Sequence, residues 1–465
     1  MQEHPENTKN NIRVVKTSPV TIIGGGLAGC EAAWQLLRRG HYVHLCEMKP
    51  QKYSPAHKME HLAELVCSNS FKSNSSDSAP GLLKDEMRKL NSLILSVADQ
   101  TAVAAGSALA VDRTEFASKV EENLLKQKNF ELSRAEITEI PSDNLTIIAT
   151  GPLTSDALAQ SINSLLGGSY LYFYDAIAPI IEADSINMDK VYWASRYDKG
   201  TPDYLNCPLS EEEYKRFRQE ILDGEKVPAK SFEEVRHFEG CLPIEVLAIR
   251  GEDTLAFGPM KPVGLINPHT GNMPYAVVQL RRENTAGSLF NLVGFQTKLT
   301  WPAQERIFRL IPGLENAEFA RLGSIHRNTY IHSPSLLKST LQMKTDPNIF
   351  FAGQITGVEG YVESTAMGLL AGLNAAFILE GKQLQPPPPD SAIGALLHYI
   401  TSPVSEANFQ PMNINFGILQ NLPVKKMKKK ERHILYVKHA MHTLNDWINS
   451  QNLHSTTSVE ASMIN

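Results

Sequence analysis

The chain is predicted to be an α/β protein in which a Rossmann-like nucleotide-binding domain is interrupted by an inserted α+β domain. Three features lead there. A β-branched run at residues 20–23 (VTII) feeds directly into the glycine-spaced turn GGGLAG and a helix-forming stretch. Two later apolar runs end in Ala-Thr-Gly (149–151) and Ala-Gly (352–353), as strands do where they meet a nucleotide at the edge of a parallel sheet. A stretch over 182–325 has strand and helix patterns of its own, and the 465 residues exceed what one compact core absorbs. The expected division is a nucleotide domain over 18–181 and 326–384, with the insert over 182–325. A linker and C-terminal helical segment follow over 385–447, then a tail over 448–465.

The first unit reads strand, turn, helix, strand, acid. Residues 20–23 are apolar, 27–39 favour helix, and 42–46 are apolar again before Glu47. Among Gly24, Gly25, Gly26, Leu27, Ala28 and Gly29, the spaced glycines have separate tasks. Gly24 permits the tight turn, Gly26 the approach of a pyrophosphate, and Gly29 the packing of helix on strand. The helix start then faces the phosphates. Glu47, about 20 residues beyond the glycines, stands where ribose hydroxyls are bound. Strand, helix, second strand and acid together are far more specific than GxGxxG alone. Further along, residues 210–223 read as a charged helix in the insert, and 357–376 as a glycine-spaced helix. Pro386–Pro389 reads as a stiff linker, 391–401 and 428–447 as helices, and the polar tail from Asn449 as frayed.

Composition excludes several classes. With 42% hydrophobic and 20% charged residues and a net charge of −5, the chain reads as folded rather than disordered, and no apolar run is read as reaching a membrane span. Residues 1–16 are polar and lack the apolar core of a signal peptide, so a cytoplasmic location and no membrane partner are expected. The net charge gives no pointer to nucleic acid. The basic run over 425–433 is either a solvated helix face or an RNA contact.

Five cysteines (Cys30, Cys46, Cys67, Cys207, Cys241) without a CxxC pair argue against a disulfide framework and a zinc site, and no metal is expected. Cys30 and Cys46 fall in the first helix and second strand and read as small buried hydrophobes. Cys67 and Cys241 lie in polar, turn-rich settings. Each is either a packed thiol or one placed on a loop where it reaches substrate.

The strand ends at 144–151 and 348–353 resemble those that close around FAD in glutathione-reductase-like flavoproteins, with Gly353-Gln354 standing where that class has Gly-Asp. FAD is therefore the expected resident cofactor, held by Gly24 to Gly29, Glu47, Gly353 and Gln354. The blocks ELVCSNS (64–70), LLKDEMR (82–88), FEGCLPIE (238–245), FGPMKPVGL (257–265), NLVGFQTKL (291–299), HRNTYI (326–331), GQITGVEGYVES (353–364) and FQPMNINFGIL (409–419) go further. Together they resemble the TrmFO family, the folate- and FAD-dependent tRNA uracil-5-methyltransferases, and the likeness runs from about residue 18 to 447.

That resemblance implies an RNA methylase with tRNA as partner, the T-loop uridine as target, and 5,10-methylenetetrahydrofolate and NADPH or NADH as co-substrates. Carbon 5 of uracil is a poor nucleophile until a thiolate adds to carbon 6, so such an enzyme needs an activated cysteine. By similarity Cys241 is the nucleophile and Cys67 the second essential thiol, as proton acceptor or resolver. His326 and Tyr361 are candidate ring partners for the folate. The target base must be exposed or flipped to reach the flavin, and Arg281, Arg282, Lys425 and Lys428 are candidate phosphate contacts. No obligate protein partner is evident. The alternatives are the same chemistry on a ribosomal RNA uridine, and an NAD(P)H-dependent flavin oxidoreductase without RNA. A related class that modifies the wobble uridine is expected to be longer, with a further helical domain.

Overall fold

The computed structural model describes residues 18–167, 170–198, 201–227, 242–420 and 427–453. Its centre is a five-stranded, wholly parallel sheet in the order Ile349–Phe351, Thr146–Ile148, Val20–Ile23, Val43–Glu47, Phe130–Arg134. Three adjacent strands, Ile349–Phe351, Thr146–Ile148 and Val20–Ile23, read as unbroken apolar or β-branched runs because both faces of the sheet are covered there. A three-stranded antiparallel sheet, Ser70–Ser73 with Ala108–Val111 and Ala102–Val103, lies beyond it in the same chain region.

Two helices cover the glycine-turn side of the large sheet, and they lie unusually close. Leu27–Arg38 follows the turn, and Tyr361–Leu379 packs along it. A Cβ at Gly368 would stand 2.2 Å from the Ala28 carbonyl oxygen, and one at Gly372 would stand 2.6 Å from that of Ala32. Only hydrogen fits there. This second helix also corrects two expectations. It starts at Tyr361, not at residue 357, because Gly357 and Gly360 take φ of +87° and +119° in a turn that precedes it. By length and composition it could cross a membrane, contrary to the reading that no apolar run is long enough. It is the innermost core helix, however, with 89% of its apolar window buried.

The C-terminal part belongs to the same core. Residues of Ala392–Thr401 and Lys429–Ser450, including Ile393, Leu396, Tyr436, Leu444 and Trp447, are buried with those of the parallel sheet. The proline run is docked instead of free. Pro387 is buried, the Gln385 carbonyl accepts a hydrogen bond from Trp447 Nε1 at 2.8 Å, and Pro388 O accepts from Ser391 N at 2.9 Å. Glu86, wholly buried on the helix Ala79–Lys89, caps the Ala392 helix by accepting N–H bonds from Ala392 and Ile393, both at 2.8 Å.

A second core is built on a six-stranded antiparallel sheet, in the order Tyr192–Ala194, Tyr204–Leu209, Ala276–Arg282, Leu289–Leu292, Ile180–Glu182, Phe319–Arg321. The charged helix lies against it as Glu211–Asp223, with Ser210 closing a reciprocal cap with Glu213. The antiparallel pair Tyr170–Ile177 and Ser324–Ile331 joins this unit to the first.

Two expectations follow. Gly368→Ala should lower stability by about 1–3 kcal/mol, read as an earlier urea midpoint, and an unchanged midpoint would mean the helices are not in tight contact. Burial pushes the Glu86 carboxyl up to about 8 despite the two N–H bonds. The native state then holds this proton more tightly than the unfolded chain, so the Glu86 contribution is fully present below the ordinary carboxyl value and is lost as pH rises toward about 8. Wild type should therefore lose stability relative to Glu86→Gln on going from about pH 5 to about pH 8. A constant difference in urea midpoints across that range would contradict it.

Candidate active site

A cleft of about 990 Å³, counting its open mouth, runs across the C-terminal ends of the parallel strands. The strand ends are where this sheet type binds ligands. Gly24 to Ala28, Cys46, Glu47, Ala149 to Ser155, Gly353, Gln354, Tyr361 and Ser364 line it. Gly24 has a φ of +104°, and a Cβ there would collide with the Ala149 carbonyl oxygen at 2.6 Å. A Cβ on Gly29 would stand 1.9 Å from Gly24 O, so helix and strand pack through bare backbone. At Gly26 the opposite holds, since a Cβ would meet no protein atom within 4 Å. The helix begins there without a side-chain cap, which leaves its first N–H groups for an anion.

Glu47 is 7% exposed and held from within, accepting the Gly25 N–H at 2.9 Å on one oxygen and the Lys49 N–H at 3.0 Å on the other. Each oxygen keeps a lone pair for a ribose hydroxyl. Gln354 lines the cleft where a carboxylate stands in the glutathione-reductase-like class, and its Nε2 donates to Glu359 Oε2 at 2.5 Å. His57 also lines the cleft. Burial, then the Lys49 ammonium, pushes its imidazole below the usual value, so it is neutral at pH 7.

Cys67 stands beside this cleft on the stretch before the strand Ser70–Ser73, half-buried. Its N–H donates to the Tyr361 hydroxyl at 2.7 Å, and Arg113 Nη2 reaches its carbonyl at 3.4 Å. Burial, then the adjacent Cys67, pushes the Tyr361 phenol up, so it keeps its proton. Burial works against the charge of Arg113, but Glu283, ion-paired with it at 2.8 Å, leaves its pKa raised. Arg321 also lies close by, its pKa lowered by burial and then by the charge of Arg113. Lys84, fully buried and pushed down to about 8 by burial, donates to the carbonyls of Phe71 at 2.9 Å and Ser73 at 2.6 Å and so fixes the strand that follows Cys67.

The structure thus gathers Gly24 to Ala28, Glu47, Gly353, Gln354 and Tyr361 around one cleft with Cys67 beside it, while Gly29 packs the helix on the strand behind it. Cys241 and Lys425 lie outside the described residues. His326 is on the strand Ser324–Ile331, opposite Asp175. Arg281 is a correction. Instead of facing solvent as a phosphate contact, it is 6% exposed and donates to Asn69 Oδ1 and Ser68 Oγ. Arg282 lies over the Trp193 ring at 4.8 Å, and Lys428 is exposed at the start of the last helix. Cys30 and Cys46 are buried, and burial raises the pKa of both thiols, that of Cys46 to about 11. Sequence reasoning missed Arg113, Glu283 and Asn69. Asn69 was visible only as a member of ELVCSNS, and the other two carried no local signal.

A family profile described as "Glucose inhibited division protein A" (GIDA) matches residues 19–383. A protein of Syntrophus aciditrophicus named "Methylenetetrahydrofolate--tRNA-(uracil-5-)-methyltransferase TrmFO" is 60% identical over 433 residues, 93% of this chain and 98% of that one. The chain belongs to the TrmFO family. A Bacillus pumilus TrmFO is 56% identical over 425 residues, covering 91% of this chain and 98% of its own. Aquifex aeolicus GidA in its form II crystal superposes with a TM-score of 0.69 at 16% identity, covering 95% of this chain and 76% of that one, a likeness of fold. The chain therefore has the FAD-binding Rossmann-like architecture of that group. Its cleft fits the cofactor at the two points that most restrict it, the open face at Gly26 and the uncapped helix start.

Glu47→Gln keeps the size of the side chain but turns one acceptor of a backbone N–H into a donor. FAD affinity should fall at least about tenfold in a flavin-fluorescence titration, and unchanged affinity would remove Glu47 from the cofactor site.

Proposed function

We propose that this protein methylates carbon 5 of the T-loop uridine of tRNA. The one-carbon unit comes from 5,10-methylenetetrahydrofolate and the electrons from NADPH or NADH. The observation that carries this reading is the sharing of Tyr361, which lines the cofactor cleft while its hydroxyl holds the backbone of Cys67 at 2.7 Å. Relatives 60% and 56% identical over nearly the whole chain bear names for the methylenetetrahydrofolate-dependent methylation of tRNA uracil at carbon 5. Bound FAD, held by Gly24 to Gly29, Glu47, Gly353 and Gln354, supplies the two electrons that bring a methylene to the level of a methyl group.

The remaining work belongs to side chains. The Cys241 thiolate adds to carbon 6 of the uracil, which makes carbon 5 nucleophilic toward the one-carbon unit. Cys67 then takes the proton from carbon 5 as the bond between the methylene and its carrier nitrogen breaks, and Cys241 leaves carbon 6 when that methylene is reduced to a methyl group. Arg113 and Arg321 place positive charge beside Cys67, where it stabilises an anion formed in the site. His326 and Tyr361 flank the pterin of the folate, and Lys428 is retained as an RNA phosphate contact.

The test incubates the FAD-loaded protein with NADPH, methylenetetrahydrofolate and unmodified tRNA or ribosomal RNA, followed by nucleoside analysis for ribothymidine. Product is expected with tRNA, and product with ribosomal RNA alone would overturn the choice of substrate. Cys241→Ala should keep the flavin spectrum, lose methylation and form no covalent adduct with 5-fluorouridine RNA. Normal methylation by that variant would overturn the assignment of the nucleophile.

A further inference from the structure

The strand Ala276–Arg282 belongs to the second core, yet its end reaches across to the loop that carries Cys67. Arg281 Nε donates to Asn69 Oδ1 at 3.1 Å, and its Nη2 donates to Ser68 Oγ at 2.9 Å. Asn69 is wholly buried, and its Nδ2 donates to the carbonyls of Val111 and Arg282, each at 3.0 Å. One amide thereby joins the small sheet beside the nucleotide domain to the strand of the second core. Two residues past Arg281, Glu283 pairs with Arg113, the residue that reaches the Cys67 carbonyl. Cys67 is thus gripped at its N–H by Tyr361, at its carbonyl by Arg113, and through the next two side chains by Arg281.

We propose that Arg281 is a positioning residue for the reaction, fixing the Cys67 loop relative to the cofactor cleft from the second core. The proposal rests on the reading of Cys67 as a working thiol. Within the described residues, the hydrogen bonds of this buried guanidinium go to neutral oxygens. For stability alone that is a costly arrangement, because a buried cation bonded among the described residues only to neutral oxygens is poorly compensated by them. Its geometric return is specific. The planar fork addresses two acceptors on consecutive residues at fixed angles, which a lysine, with a single flexible donor head, does not reproduce. A thiol that must meet one carbon of a base loses about a hundredfold in rate for a displacement of about 1 Å.

The test compares wild type, Ser68→Ala, Arg281→Lys, the Ser68→Ala/Arg281→Lys double variant and Cys67→Ala, all as full-length FAD-loaded protein. Ser68→Ala, a half-exposed site, is the variant that keeps the test open should Arg281→Lys fold poorly. Arg281→Lys is expected to retain the flavin absorbance and the KM for tRNA within about twofold while kcat drops about 30-fold or more. Ser68→Ala should lose about fivefold in kcat, and the double variant should be no slower than Arg281→Lys, because both act through one contact. Full kcat in Arg281→Lys, losses that multiply in the double variant, or a kcat loss matched by loss of bound flavin would each overturn positioning. Cys67→Ala separates the two layers. If it is inactive while Arg281→Lys is normal, the positioning role alone fails, and if it methylates at the wild-type rate, the underlying reading of Cys67 fails whatever Arg281→Lys does.

Discussion

The cleft exists because two helices can touch backbone to backbone. Gly368 and Gly372 bring Tyr361–Leu379 onto Ala28 and Ala32 of Leu27–Arg38, at separations that exclude even a methyl group. The same contact continues past the helix start, where a Cβ on Gly353 would stand 2.7 Å from that of Ala28. Residues more than 300 positions apart therefore meet at one cleft, with the glycine turn on one side and Gly353, Gln354 and Tyr361 on the other. Larger residues at these positions would separate the helices and open the cleft, whatever the sheet did.

Once Tyr361 is fixed at the start of that helix, the thiol loop has an anchor. Its ring packs against Phe71 at 5.8 Å and its hydroxyl takes the Cys67 N–H. Glu363, two residues further on and fully buried, pairs with Lys72 at 2.8 Å and accepts the Ile414 N–H at 3.0 Å. The helix that shapes the cofactor cleft thus also ties down the strand after Cys67 and the segment over 409–419. Lys72 is half-buried, but removing it would leave the buried Glu363 carboxylate without its cation, and that cost holds these elements to one arrangement.

The α/β architecture was legible because its signals are local. Three of the five parallel strands are unbroken apolar or β-branched runs, and each spaced glycine has a steric task at its own position. The helix boundary at 357 was misplaced because the glycines there serve a turn, and a glycine reads alike in a turn and in a tightly packed helix. The proline run reads as a linker because the residue that docks its start, Trp447 on Gln385, is some 60 positions away in the sequence. At the site, Tyr361 and Cys67 were visible as members of blocks, but their contact was not. Arg281 was misassigned for a related reason. Charge alone suggests solvent or phosphate, and only tertiary structure shows a basic side chain turned inward onto an amide.

The blocks that stood apart in the sequence are partners in space. Lys84 of LLKDEMR holds the strand following ELVCSNS, and the end of FEGCLPIE docks on NLVGFQTKL. In that docking the Ile244 N–H meets Gln296 O at 2.8 Å, and Glu245, its carboxyl raised chiefly by burial, accepts from Thr297 Oγ1 and the Lys298 N–H. The chain leading to the Cys241 segment is held by the same stretch, since Val227 N donates to Lys298 O and Thr300 N donates to Glu225 O, both at 2.8 Å. Residues 296–300 follow the strand Leu289–Leu292, whose neighbour Ala276–Arg282 carries Arg281. One antiparallel pair and its continuation therefore grip the Cys67 loop directly and hold both flanks of the Cys241 segment. The Cys67 loop and the described residues on either side of 228–241 are thus held by the same piece of sheet, so a shift of that piece moves them together.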